Sequence, residues 1–212
     1  MAARGSRRVG EDEQERTVRA RAAVVAAATD RFVAHGYAAT SIGQISADSG
    51  VPSATVYRLF ATKLGILSAA MDVAIAGDAD PVPVAQRPVV EAALADETPR
   101  GKVAGFVSIM VAINQRISAL YWVVFRAADV DEGARDLLHS LDSQRSRGQR
   151  QLARALDESG ALAPGMSLPE AEDLIHALMS PETFRLLVTQ RGWSPDRYAD
   201  WLTDVLTHQL LG

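Results

Sequence analysis

The chain of 212 residues contains no cysteine, which excludes a disulfide framework, thiolate chemistry and the usual cysteine-based zinc patterns. It also lacks an obvious bilayer-length run. Its longest alanine-rich stretch, Ala22 to Ala28, is bracketed by Arg21 and Asp30, far short of the roughly 20 apolar residues a membrane helix requires. Strand-like alternation is nearly absent, and no internal repeat is visible. Histidine is scarce and scattered: His35, His139, His176 and His208 lie far apart, with no HExxH pair, phosphate loop or nucleophile elbow beside them. Glu172 and His176 fall at i and i+4, a spacing that can hold a metal, but an ordinary exposed pair is the expectation. Neither an enzyme, a metal nor a cofactor is expected. Arg4, Arg7 and Arg8 could open a transit peptide, yet Glu11, Asp12, Glu13 and Glu15 follow at once, and transit peptides are poor in acids. The expectation is a cytoplasmic protein, not membrane-bound, with an unordered tail over residues 1–13.

Close to half of the residues are apolar, enough for one sizeable core or two smaller ones sharing an interface. The formal net charge of -4 argues against a polyanionic partner until the chain is divided. Residues 1–66 carry nine Lys and Arg against six Asp and Glu, and the remainder carries thirteen against twenty. A basic head precedes an acidic body.

Apolar residues recur at three and four positions through most of the sequence, so the fold class is all-α. The first helix is expected from about Glu13 to His35, with Val24, Ala28 and Phe32 stacked on one face, Gly36 ending it and Tyr37 folding back on its last turn. Ser41 followed by Gln44 is a capping box that opens a short second helix burying Ile42 and Ile45. After Gly50, Val51 and Pro52, a third helix runs from about Ser53 to Phe60. It turns Val56, Leu59 and Phe60 inward and leaves Ser53, Thr55, Tyr57 and Arg58 outward. Thr62 caps a fourth helix with the buried stripe Leu64, Leu67, Met71 and Ile75. Pro81, Pro83 and Pro88 read as a loop or broken connection. Further helices are expected over residues 102–120, 121–127, 131–160, 169–191 with a break at Pro181, and 195–210.

A helix, a short turn and a second helix with a polar outer face form the device that presents side chains to the major groove. The spacing alone also occurs in ordinary helical cores. Phe32, Gly36, Tyr37, Thr40, Ser41, Ile45, Gly50, Val51, Thr55, Val56, Tyr57, Leu59, Phe60, Lys63, Ile66 and Leu67 add the specific signal. In order and spacing they resemble the DNA-binding domain of the TetR family over about residues 16–70, most specifically in the string GVPSATVYRLFATKLGIL from Gly50 to Leu67. Arg31 departs from that pattern where an apolar residue is common, Ser46 and Ser49 where alanines are, Pro52 where a serine usually caps the recognition helix, and Gly65 where an acid is usual. Ser53 is the expected substitute cap.

The resemblance implies a DNA-binding head at 14–62 and a ligand-binding and dimerisation domain at 63–212. Tyr57 and Lys63, with Thr40 and Ser41, would contact phosphates and fix register. Arg58, Thr55 and Ser53 would face base edges, arginine to guanine being the commonest specific contact. Phe106, Met110 and Ile113, with Ile117 at the same helical spacing, and then Trp122, Phe125 and Arg126 would line an inducer pocket, with Asn114, Gln115, Arg116 and Arg126 as directing polar groups. Plain core is the competing reading of the same stripe. Leu174, Leu178, Phe184 and Leu187 with Trp201, Leu202 and Val205 would form a homodimer interface, since two heads must reach successive major grooves about 34 to 36 Å apart. The expected function is a repressor released from a palindromic operator by a small molecule, with the fourth helix as lever. A helical adaptor that binds only protein explains the apolar stripes equally well, but not the basic head or the Gly50–Leu67 string.

Overall fold

The computed structural model describes residues 3–77 and 82–212, with side chains from Glu13 onward. Among these residues every regular element is helical. Helix α1 spans Ala3–His35 and so includes most of the segment expected to be an unordered tail. The segment contains Gly5 and Gly10 but no proline, the first being Pro52, so every residue of it has the N–H that continues a helical ladder. The side chains of Arg4, Arg7 and Arg8 lie outside the described residues. Val24, Ala28 and Phe32 are fully buried. Gly36 ends α1 at φ 83°, and the Tyr37 ring returns to 5.9 Å from that of Phe32.

Helices α2 (Ile42–Ser49), α3 (Ser53–Phe60) and α4 (Lys63–Ala76) follow, and α4 leaves α3 at 67°. The chain divides into two compact units, and the division falls inside helices. The first comprises Met1–Asp72 and Trp122–Arg135, the second Val73–Tyr121 and Asp136–Gly212. The 62/63 boundary expected from sequence lies earlier. Ile66, Leu67, Ala70 and Met71 of α4 are buried members of the first unit, because the apolar stripe of α4 begins within one turn of its start.

Beyond the first 77 residues, a 3₁₀ turn (Val84–Gln86) and α5 (Pro88–Leu94) occupy what was expected to be a loop. Pro88 stands in the first turn of α5, where a missing N–H costs nothing; Pro81 lies outside the described residues. Helix α6 (Pro99–Ala127) is one helix where two were expected, followed by α7 (Glu132–Glu158) and α8 (Leu168–Leu178). Helix α9 (Pro181–Phe184) passes into a π-helical stretch, Arg185–Gln190, and α10 covers Pro195–Leu211. The break at Pro181 stands where the sequence puts it: Ser180 accepts from the Thr183 amide, and Pro181 occupies the first turn. Ser167 with Glu170 opens α8 by a second capping box, and Ser194 caps α10.

Among the described residues α6 is long and apolar enough to cross a membrane, a feature the alanine-run argument overlooks, and α3 with α4 passes the same test as a bent pair. In α6 that apolarity serves a core. Val103, Phe106, Val107, Met110, Ile113, Ile117 and Leu120 are buried, as are Leu152 and Leu156 of α7, Ile175 of α8 and Tyr198, Leu202 and Leu206 of α10.

Candidate nucleic-acid interface

The corner between α2 and α3 is built from contacts that fix α3 while leaving its outer face open. At the start of α2 the Ser41 hydroxyl accepts from the Gln44 amide at 3.3 Å, and the Ser41 amide donates to Gln44 Oε1 at 2.9 Å. Gly50 turns the chain at φ 66°. The two serines that depart from the family pattern hold this turn: Ser46 Oγ donates to the Val51 carbonyl at 2.7 Å, and Ser49 Oγ to the Ser46 carbonyl at 3.3 Å while accepting from the Val51 amide. Arg31, the third departure, reaches across to Asp48 with two guanidinium nitrogens. That fork raises the Arg31 pKa and lowers that of Asp48. Arg21 ties α1 to α3 by donating to the Leu59 carbonyl at 3.2 Å and lying over the Phe60 ring.

Within α3, Val56 and Phe60 are buried, Tyr57 is 55% exposed and Arg58 is exposed. Ser53 and Thr55 are half-buried. Among the described residues none forms a hydrogen bond or ion pair with the side chains of Ser53, Thr55, Tyr57 or Arg58. Ser53 does not take the capping role expected of it. Pro52 is the N-cap and no side chain caps the helix; the Thr55 amide shares the Pro52 carbonyl with that of Val56, whose bond is the first of the helical ladder.

Two expected phosphate contacts are differently employed. Thr40 is only 2% exposed; its hydroxyl donates to the Gly36 carbonyl at 2.9 Å and its amide to the Tyr37 carbonyl. Lys63 Nζ donates to the carbonyls of Tyr37 at 2.7 Å and Thr40 at 2.8 Å, 4.1 Å from the Tyr37 ring centroid. Burial lowers its pKa, and Asp131 acts in the opposite sense. Lys63 therefore bolts the start of α4 to the turn before α2, with a third N–H left for another acceptor. Sequence reasoning gave no hint of this, because twenty-odd residues separate donor and acceptors and no local period connects them.

The α3–α4 turn explains the departure at Gly65. Ala61 adopts φ 60°, ψ -47°, and the Thr62 amide bonds to the Phe60 carbonyl at 2.7 Å across it, a strained three-residue turn. A Cβ on Gly65 would press into the Phe60 carbonyl oxygen and lie 3.4 Å from Thr62 Oγ1. An acid in this position has no room.

The other expected site residues fall in both units. Phe106, Met110 and Ile113 are buried in the second; Trp122, half-buried, and Phe125 and Arg126, both exposed, belong to the first. Asn114 is buried, whereas Arg116 is exposed and donates to the carbonyls of Ala74 and Ile75. A groove of about 550 Å³ in the second unit lies elsewhere, lined by Arg87, Glu91, Leu94, Gln151, Arg154 and Glu158 among others. Of the expected dimer residues, Phe184 and Leu202 are buried within the chain, Phe184 edge-on to Tyr198 at 5.3 Å. Leu174, Leu178, Leu187, Trp201 and Val205 are half-buried. Glu172 pairs with Arg150 at 3.1 Å rather than with His176.

A rigid corner with an open, hydrogen-bonding α3 face defines a helix-turn-helix DNA-binding protein. Residues 24–78 match the family model for bacterial regulatory proteins of the tetR family, so the segment that holds the α2–α3 corner is a TetR-type DNA-binding domain. No curated protein matches it in sequence. Solved structures share its fold at low identity. NalD of Pseudomonas aeruginosa, the secondary repressor of the MexAB-OprM efflux pump, is 18% identical with a TM-score of 0.71 over 92% of this chain and 98% of its own. A SmeT–triclosan complex gives 18%, 0.71, 91% and 92%. A protein of Saccharomonospora viridis described as a transcriptional regulator, in complex with choline, gives 18%, 0.69, 91% and 98%.

Proposed function

We propose that the protein is a cytoplasmic repressor that binds a palindromic operator as a homodimer and leaves it when a small molecule binds. The observation that carries this reading is the outer face of α3, where Ser53, Thr55, Tyr57 and Arg58 have no partner among the described residues. Tyr57 and Ser41 fit phosphate oxygens, and Arg58 fits a guanine edge, a bidentate contact worth about 1 to 3 kcal/mol of discrimination. The half-buried apolar side chains Leu174, Leu178, Leu187, Trp201 and Val205 support a second copy as partner. The repressor role and the small ligand are supported by what is known of NalD, SmeT and the Saccharomonospora viridis protein. Release follows from linkage: a ligand favouring a form that binds DNA poorly weakens DNA binding by the same coupling free energy, typically about 1 to 3 kcal/mol.

The test is recovery of bound sequences from a DNA pool that includes the region flanking the protein's own gene. Wild type is compared with a Tyr57→Ala, Arg58→Ala double variant, which leaves the core untouched. A palindromic site enriched by wild type and lost in the variant is expected. Enrichment of a single half-site refutes the dimer, and no enrichment at low salt refutes the operator reading.

A further inference from the structure

The second unit contains a band of polar side chains that its own fold leaves incompletely satisfied. The band draws on four helices, two of them supplying residues at helical spacing. Asn114 and Tyr121 of α6 stand at i and i+7, hence on one face and about 10 Å apart along the axis. Asp142, Arg145 and Gln149 of α7 stand at i, i+3 and i+7. His176 of α8 and Glu182 of α9 complete it.

The hydrogen bonds assign the state of each group. Arg145 donates to the His176 carbonyl and to Asp142 Oδ1, both at 2.7 Å, and to His176 Nε2 at 2.9 Å. A guanidinium has no acceptor, so Nε2 is the bare nitrogen although Asp142 Oδ1 stands 3.3 Å from it and pulls the other way, and Nδ1–H donates to Gln149 Oε1 at 3.0 Å. His176 is neutral in this arrangement, and burial together with Arg145 depresses its pKa. Asp142 and Arg145 compensate each other. Glu182 is left over: its carboxylate accepts from the Tyr121 hydroxyl at 2.7 Å, and among the described residues no cation forms an ion pair with it.

Two buried amides carry the second observation. Asn114 is 1% exposed and donates from Nδ2 to the Met179 carbonyl, but its Oδ1 has no partner. Gln149 is 2% exposed, and its Nε2 has none. Turning either amide over exchanges the orphaned atom without removing it. Native cores rarely leave such atoms unpaired without a functional reason. Both amides lie against the end of α8, at Met179 and His176, one helical turn apart. One needs a donor and the other an acceptor, and a single hydroxyl group supplies both.

We propose that this band is the ligand site of the second unit and that its ligand is a small organic cation, a protonated amine with a hydroxyl group about 10 Å away. Glu182 is the counter-charge, and Asn114 and Gln149 take the hydroxyl. This deepens the reading of a ligand-released repressor and rests on it. The test uses no DNA, so its failure leaves operator recovery standing, and failed operator recovery leaves this site testable.

The full-length protein is titrated, by calorimetry and thermal denaturation, with tyramine and its longer-chain homologues. Phenethylamine, para-ethylphenol and para-hydroxyphenylpropanoate serve as versions lacking the hydroxyl, the charge, or carrying the opposite charge. Members of the tyramine series are expected to bind and raise Tm, at least about tenfold tighter than the uncharged phenol, as a charged hydrogen bond implies. Glu182→Gln should abolish that preference without weakening para-ethylphenol. Gln149→Met should erase the preference for tyramine over phenethylamine; for the free protein it removes the orphaned Nε2 but also the acceptor of His176 Nδ1–H, so the ligand preference and not the Tm is the readout. No binding by any amine of the series, equal or tighter binding of the propanoate, or an unchanged preference in Glu182→Gln would overturn the proposal.

Discussion

Replacing Gly65 by alanine tests the geometry of the turn that carries α3 into α4. In an ordinary helix interior this change stabilises by about 0.8 to 1 kcal/mol, because glycine has more freedom to lose on folding. Here the new methyl meets the Phe60 carbonyl oxygen, a backbone atom held by the Thr62 amide at 2.7 Å. It cannot rotate away as a side chain would, so relief requires opening the Ala61 turn or moving α4. Overpacking of this kind costs about 1 to 3 kcal/mol, which outweighs the propensity gain. Gly65→Ala is expected to destabilise the first unit by about 1 to 2 kcal/mol, a Tm loss of roughly 2 to 8 °C for a chain of this length. Ala61→Gly should do the opposite, by about 1 kcal/mol, because glycine adopts φ 60° without a Cβ penalty. The two should not add: with glycine at 61 the turn can shift, and the cost of Gly65→Ala should shrink by 0.5 kcal/mol or more, a coupling on the order of those between touching residues. Urea denaturation of the four proteins, with hydrogen exchange at the Ile66 amide as the local probe, measures all three quantities. A stabilising Gly65→Ala, or strict additivity, refutes the pinned turn.

Lys63→Met should remove two charged hydrogen bonds and destabilise the first unit by about 2 kcal/mol, while leaving the salt slope of DNA binding nearly unchanged. A slope that falls by a full phosphate contact, about 0.9, would return Lys63 to the backbone of the DNA. The depressed pKa of His176 has a definite sign. The unfolded chain binds the proton first, so the stability that neutral His176 contributes is complete above the ordinary value of 6.5 and is lost as the pH falls below it towards the folded pKa. Denaturation midpoints between about pH 7 and pH 5 should fall less in His176→Gln than in wild type, and parallel profiles would count against it.

The fold was legible wherever a local rule sufficed. Val24, Ala28 and Phe32, the Ser41–Gln44 box, Gly36, Gly50 and the break at Pro181 each depend on neighbours within about four residues. The candidate site was legible in its outward face, since Tyr57 and Arg58 follow from the phase of Val56 and Phe60. It was illegible where long-range partners decide. Thr40 reads as a hydroxyl beside a helix start, but Gly36 and Lys63 absorb its polar groups. Phe184 and Leu202 read as members of a dimer interface, yet they are buried within the chain, and periodicity does not distinguish a neighbouring helix from a second copy.

The departures from the family pattern in the first unit act together. Pro52 deprives α3 of a capping hydroxyl, and the Thr55 amide shares the Pro52 carbonyl with the first bond of the helical ladder. That carbonyl is well placed only if the turn before it is fixed. Ser46 fixes it by bonding the Val51 carbonyl, and Ser49 by bonding the Val51 amide; the Arg31–Asp48 fork then holds the end of α2 to α1. A capping interaction made by one side chain elsewhere is here distributed over three positions outside α3. The consequence lies on the recognition face: with the turn fixed from outside α3, Ser53 is not drawn into the cap that the loss of a hydroxyl at 52 would ask of it, and its hydroxyl remains for whatever α3 meets.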